Sequence, residues 1–128
     1  MGKQAVVAVG FCLALAGCES GKREAPPPGK SAFRAQADGI CAKAKTRSER
    51  VAGLRALRPP VGEEGLYSLW LKAEEDALAA ATSLTDLSKK TEVDPAVALA
   101  IAEGKVTGYA RRMGAETCAK RTIGTMPP

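Results

Sequence analysis

Asp94-Pro-Ala-Val-Ala-Leu-Ala-Ile-Ala-Glu-Gly-Lys-Val-Thr-Gly-Tyr-Ala-Arg-Arg-Met-Gly114 carries the clearest local signal in this 128-residue chain. Asp94 offers a side-chain oxygen to the free amides of a helix start. Pro95 follows at the first helical position, where its missing N–H is not needed. Leu99, Ala102, Val106, Tyr109/Ala110 and Met113 recur in steps of three and four, so they lie on one face of a helix. Gly114 supplies the left-handed stop. The spacing predicts a helix from Pro95 to about Met113 with one apolar stripe.

The same period extends upstream. Glu63-Glu64 suits the positive end of a helix dipole, and Leu66, Leu69/Trp70, Ala73, Ala77, Ala80, Leu84 and Leu87 form a stripe ending near Lys89-Lys90. Before it, Phe33, Ala37, Ile40/Cys41, Ala44, Ser48, Val51 and Leu54 make a third, with Ser31 as the expected N-cap. Pro59-Pro60 ends it. Gly39 and Gly53 weaken this segment, so a break near residues 47–53 would divide it in two. No alternating strand pattern of useful length occurs. The expectation is an all-α fold, a small bundle of three helices, or four if the first is broken.

The chain is long enough for one domain and too short for two. Apolar residues make up 45% of it, but aromatics number only five and alanine is abundant, so the core is expected to be thin. At about 25 cal/mol per Å² of buried apolar surface, such a domain is marginal without an added constraint.

The first eighteen residues read differently. Lys3 gives a positive start, Ala5 to Ala14 is a small-and-apolar run, and Leu15-Ala16-Gly17-Cys18 follows. Those are the parts of a secretory signal, and the run is shorter than the roughly 20 residues a spanning helix needs. Leu15-Ala16-Gly17-Cys18 resembles the lipobox of bacterial lipoproteins at all four positions. The resemblance implies cleavage between Gly17 and Cys18 and lipidation of the Cys18 thiol. The chain would then be held on the exported face of a bacterial membrane, with Glu19 favouring the outer membrane where the host has one. The alternative is cleavage after Ala14-Leu15-Ala16 by an ordinary signal peptidase, which would release a soluble product.

Residues 18–31 contain Pro26-Pro27-Pro28 and no apolar period, and they read as a disordered tether of about 40 Å. Lys22, Arg23 and Lys30 there are offset in part by Glu19 and Glu24. The folded domain is expected over residues 32–124. Of the four cysteines, Cys12 lies in the signal and Cys18 carries the lipid, which leaves Cys41 and Cys118. In an oxidising compartment two such thiols pair, and a bridge between them would brace the thin core.

Charge is uneven. Residues 32–58 hold Arg34, Lys43, Lys45, Arg47, Arg50, Arg55 and Arg58 against Asp38 and Glu49, whereas residues 63–90 are net acidic. Either the two helices pack side by side with complementary flanks, or Lys43, Arg47 and Arg50 form a basic face for anionic lipid or an anionic envelope polymer. Tyr67, Trp70 and Tyr109 divide similarly between core area and an aromatic groove for a ligand or peptide.

Motifs for chemistry are lacking. The chain has no histidine, which removes Ser-His and Cys-His nucleophiles and leaves no metal-ligand set, and Glu74-Glu75-Asp76 are neighbours that diverge on a helix. Gly104-Lys-Val-Thr-Gly108 has the spacing that allows helices to approach closely. Arg111-Arg112 faintly suggests a DNA-reading helix, but an exported chain does not meet chromosomal DNA, so no nucleic acid partner is expected. Neither cofactor nor metal is called for.

The segment from Phe33 to Lys120 also resembles, more loosely, small exported bacterial helical proteins with a cysteine pair, a set without an assigned activity. The likeness rests on Ala35-Gln-Ala-Asp-Gly-Ile-Cys41, Leu54-Arg-Ala-Leu-Arg-Pro-Pro60 and Ala110-Arg-Arg-Met-Gly114 before Cys118. It implies the helical fold and the paired cysteines. The expected function is a non-enzymatic envelope module, anchored through lipid on Cys18, that binds an envelope protein. The runner-up is a binder of anionic lipid or polymer through residues 34–58, and a distant third is an enzyme with an unfamiliar site.

Overall fold

The computed structural model describes residues 26–86, 88, 90–120 and 126–128. Gly17 and Cys18, the rest of the expected signal, the first part of the expected tether, Leu87, Lys89 and residues 121–125 lie outside the described residues. Within them the chain is all-helical: α1 Lys30–Lys43, α2 Arg47–Arg55, α3 Glu64–Thr85, α4 Pro95–Arg112 and α5 Glu116–Lys120. Among the described residues no helix is long and apolar enough to cross a membrane.

Five helices replace the expected three or four for two local reasons. The first segment breaks earlier than expected, at residues 44–46. Ala44 is extended there, Thr46 caps α2 by accepting from the Glu49 amide at 3.1 Å, and the Glu49 carboxylate accepts from the Lys45 amide at 2.8 Å. This Thr46-x-x-Glu49 exchange closely follows a capping box, which favours a new helix start over a continuous one. The other addition is α5, a single short turn beyond Gly114. Ser31 is not the N-cap of α1, because the Gly29 carbonyl already accepts from the Phe33 amide at 3.0 Å and the helix begins two residues earlier.

The α4 reading holds. Asp94 accepts from the Ala96 amide at 2.8 Å, Pro95 occupies the first turn, and Gly114 has φ +75°. The amides of Gly114 and Ala115 then bond to the carbonyls of Arg111 and Ala110, each at 2.9 Å, closing a Schellman motif. α3 ends at Thr85, short of the lysines expected at its last turn.

α3 and α4 form a long antiparallel hairpin. α2 lies on α3, α5 lies on α4, and α1 spans α2 and α5. The core is Phe33, Ala37, Cys41, Leu54, Tyr67, Trp70, Val106, Ala110, Met113 and Cys118, with smaller residues between them. Ser48, expected on the inner stripe, is exposed, because the break at 44–46 shifts the stripe so that Arg47 and Arg50 take the inward positions. Leu69 and Leu84 also fall outside the core. Cys41 and Cys118 form a disulfide with Cα atoms 5.1 Å apart, tying α1 to α5. Asp38 reinforces that link by accepting from the Thr117 amide at 2.9 Å.

Candidate functional site

The sequence nominates three places for a site, and the structure corrects two. The first correction concerns the basic face. Arg47 and Arg50 are only 6% and 2% exposed, so they cannot present charge to a lipid or polymer. Arg50 donates from Nε and Nη2 to Glu74 Oε1 at 2.9 and 2.5 Å, and Nη2 also reaches the Cys118 carbonyl at 3.1 Å. Arg47 is bonded to Glu103 of α4, and its Nε is buried with no hydrogen-bond partner. The carboxylates of α3 and α4 thus draw these two cations inward, which is the complementary-flank packing carried to burial. Lys43 alone of the trio is exposed. It borders a shallow concavity of about 370 Å³ with Ile40 and Leu57.

The second correction concerns the aromatics. Tyr67 and Trp70 are buried and Tyr109 packs half-buried against the core, so the three line no groove. Phe33 meets Tyr67 edge-on at 5.7 Å between ring centroids. The Tyr67 hydroxyl donates to the Leu54 carbonyl, with the Leu57 carbonyl also in reach at 3.1 Å, which satisfies the open end of α2. Burial raises the Tyr67 pKa above its ordinary value.

The third place, Cys18, lies outside the described residues.

What the structure does present is a face on the far half of the α3–α4 hairpin that, among the described residues, no other helix covers. A cavity of about 610 Å³ lies between the two helices, floored by Ala79, Ala80, Ala98 and Ile101. Asp76 and Lys105 stand at its inner end, and Thr91, Glu92 and Val93 at its outer end. Beside it Val93, Val97 and Ile101 form a row at steps of four and are 54%, 51% and 54% exposed; Leu84 is partly exposed near the tip. Residues advance about 100° each around a helix. Ile101 and Lys105 therefore lie roughly opposite Glu103, the residue that α2 engages through Arg47. The groove is on the side that α2 leaves bare.

Its position along the molecule is fixed by Lys30, whose ammonium pairs with Glu63 at 2.7 Å. The start of α1 is thus at the start of α3, and the groove begins about a dozen residues farther along, toward the tip. At about 1.5 Å per residue the tip of α3 lies about 30 Å from the start of α1.

Sequence reasoning missed this face. The available signal was a second apolar row, Val93 just before α4 and Val97 and Ile101 on it, beside the core row Ala102, Val106 and Ala110. One helix carrying two apolar rows has more apolar surface than a single packing face uses. Among the described residues no cluster of three or more Cys, Asp and Glu side chains could hold a metal ion. Carboxylates stand at both ends of the groove, Asp76 and Glu92, and the ammonium of Lys105 at the inner one.

No protein-family model, no curated protein and no solved structure matches this chain.

Proposed function

We propose that the protein is a lipid-anchored envelope module without enzymatic activity, tethered through Cys18, whose helical domain binds a protein partner through the uncovered α3–α4 face. The observation that carries the binding reading is the concentration of exposed large apolar residues on this hairpin half: Leu84, Val93, Val97 and Ile101 sit there, against Val61 and Leu69 elsewhere among the described residues. Contiguous apolar patches of this kind mark interaction surfaces more often than scattered single residues do. The groove lies at the end of the hairpin remote from Lys30, which suits a domain that holds its contact surface away from the membrane. The lipobox-like Leu15-Ala16-Gly17-Cys18 supports the anchor.

Two measurements test the reading. Intact mass spectrometry of the membrane fraction is expected to give residues 18–128 plus acyl chains; a soluble chain cut after Ala16 would remove the tether. Chemical crosslinking in intact envelopes is expected to trap a discrete adduct that disappears with Ile101→Glu. An adduct pattern indifferent to Ile101→Glu would remove the proposed surface.

A further inference from the structure

We infer that the partner seated on the uncovered α3–α4 face is a second copy of this chain, paired about a two-fold axis that passes near Ala98. The inference rests on the interaction-module reading above and names its partner.

The argument is one of charge and spacing along α4 and the segment leading into it, where Glu92 and Val93 sit. Glu92 stands at the outer end of the groove and Lys105 at the inner end, with Val93, Val97, Ala98 and Ile101 between them. A two-fold pairing is self-complementary: whatever one copy offers at one end meets the other end of its partner. Laid antiparallel on itself, this face puts Glu92 of each copy opposite Lys105 of the other and brings the apolar rows together. The midpoint of the stretch from Glu92 to Lys105 falls at Ala98 and Leu99. Ala98 has the small side chain that lets two helices approach at their crossing point. Asp76, beside Lys105 at the inner end, is paired with Lys72 of its own helix at 3.1 Å, so its charge is offset within each copy, and Thr91 and Ser83 on the rim are polar without charge. A parallel pairing would set Glu92 against Glu92 and Lys105 against Lys105, which costs energy at both ends.

The fold supplies a further reason. Among the described residues, the far half of the hairpin is a two-helix layer, one side of which faces α2 while the other is bare. Two such layers stacked on their bare sides make a four-helix arrangement, the usual way that paired helices bury a second apolar row. The two-fold sets the starts of α1 at opposite ends of the pair.

The test uses the full chain in its membrane. A photo-crosslinking residue is placed at Val97, and two differently tagged copies are expressed together. The expected adduct has twice the mass of the mature chain and carries both tags. Ile101→Glu abolishes it. Glu92→Lys and Lys105→Glu each lower its yield several-fold, and the doubly reversed chain, which pairs again with itself, recovers the yield to within about two-fold. Ile101 is more than half exposed, so that variant is expected to keep the unmodified helical circular dichroism and melting. An adduct with some other envelope protein and none with itself overturns self-pairing and leaves the interaction module standing. No adduct of either kind overturns both. A self-adduct that survives Ile101→Glu, or that the double reversal does not restore, overturns the two-fold arrangement.

Discussion

Arg50 and Glu74 meet inside the protein across 24 positions of sequence, with both side chains almost wholly shut off from water. A single carboxylate oxygen, Glu74 Oε1, accepts from Arg50 Nε and Nη2 and from Trp70 Nε1 at 3.0 Å. Removing one partner strands the other charge in a low-dielectric interior, and such losses run to about 3–5 kcal/mol. Arg50→Ala and Glu74→Ala are each expected to lower unfolding free energy by about that amount in urea titrations. Joint replacement by Arg50→Met and Glu74→Leu is expected to recover most of the loss, because the stranded charge is gone.

The Cys41–Cys118 bridge spans 77 positions, and in the chain-entropy model closing such a loop contributes about 4 kcal/mol. Both residues are fully buried. A chain with Cys41→Ala and Cys118→Ala is therefore expected to unfold at markedly lower denaturant concentration. The intact protein is expected to resist mild reductant until it is partly unfolded; titration of free thiols against denaturant checks this.

Glycines in α4 and just after it are expected to respond in opposite directions. A Cβ at Gly104 or Gly108 would meet nothing within 4 Å, so these glycines mediate no close helix approach, contrary to the expectation from their spacing. Gly104→Ala and Gly108→Ala should each stabilise the protein by about 0.5–1 kcal/mol. Gly114→Ala must adopt φ +75° and press on the Arg34 side chain, so a loss of about 1–2 kcal/mol or more is expected. Thermal melts of the three variants separate the signs.

Tyr67 sets an alkaline limit. Its folded pKa is raised by burial above the ordinary value of 10.0, so the unfolded chain ionises first as pH rises. The neutral phenol's contribution is whole below about pH 10 and is lost as pH climbs through the folded value. Tyr67→Phe is expected to be less stable at pH 7, through loss of the bond to the Leu54 carbonyl, yet to show a shallower decline above pH 10. Denaturant midpoints across pH 8–11 check both parts.

Much of the fold was legible because apolar periodicity and caps act locally. Phe33, Ala37 and Cys41, and again Ala102, Val106, Ala110 and Met113, lie on the buried faces their spacing predicts. Cys41 and Cys118, the cysteines of the expected folded domain, pair as their number there suggests. For Arg47 and Arg50 the sequence left two readings open, complementary flanks or a basic face, because their partners Glu74 and Glu103 are supplied by helices distant in sequence. A clue was present all the same: Cys41, Ala44, Arg47, Arg50 and Leu54 keep the helical step through the charged positions. The α3–α4 groove was illegible for a different reason. A bare face is defined by where other helices are absent, which depends on α2 choosing the opposite side of the hairpin.

The molecule carries its own optical probe. Trp70 is the only tryptophan in the chain, is 1% exposed, and has its indole nitrogen held by Glu74. Its emission comes from one environment, so the spectrum of the native protein has a single origin and needs no deconvolution. Loosening of the Arg50–Glu74 contact perturbs that indole directly, whereas events at the hairpin tip, some four helical turns away, leave it dark to them. Fluorescence therefore distinguishes a disturbance of the core from an event on the outer groove without any label being introduced.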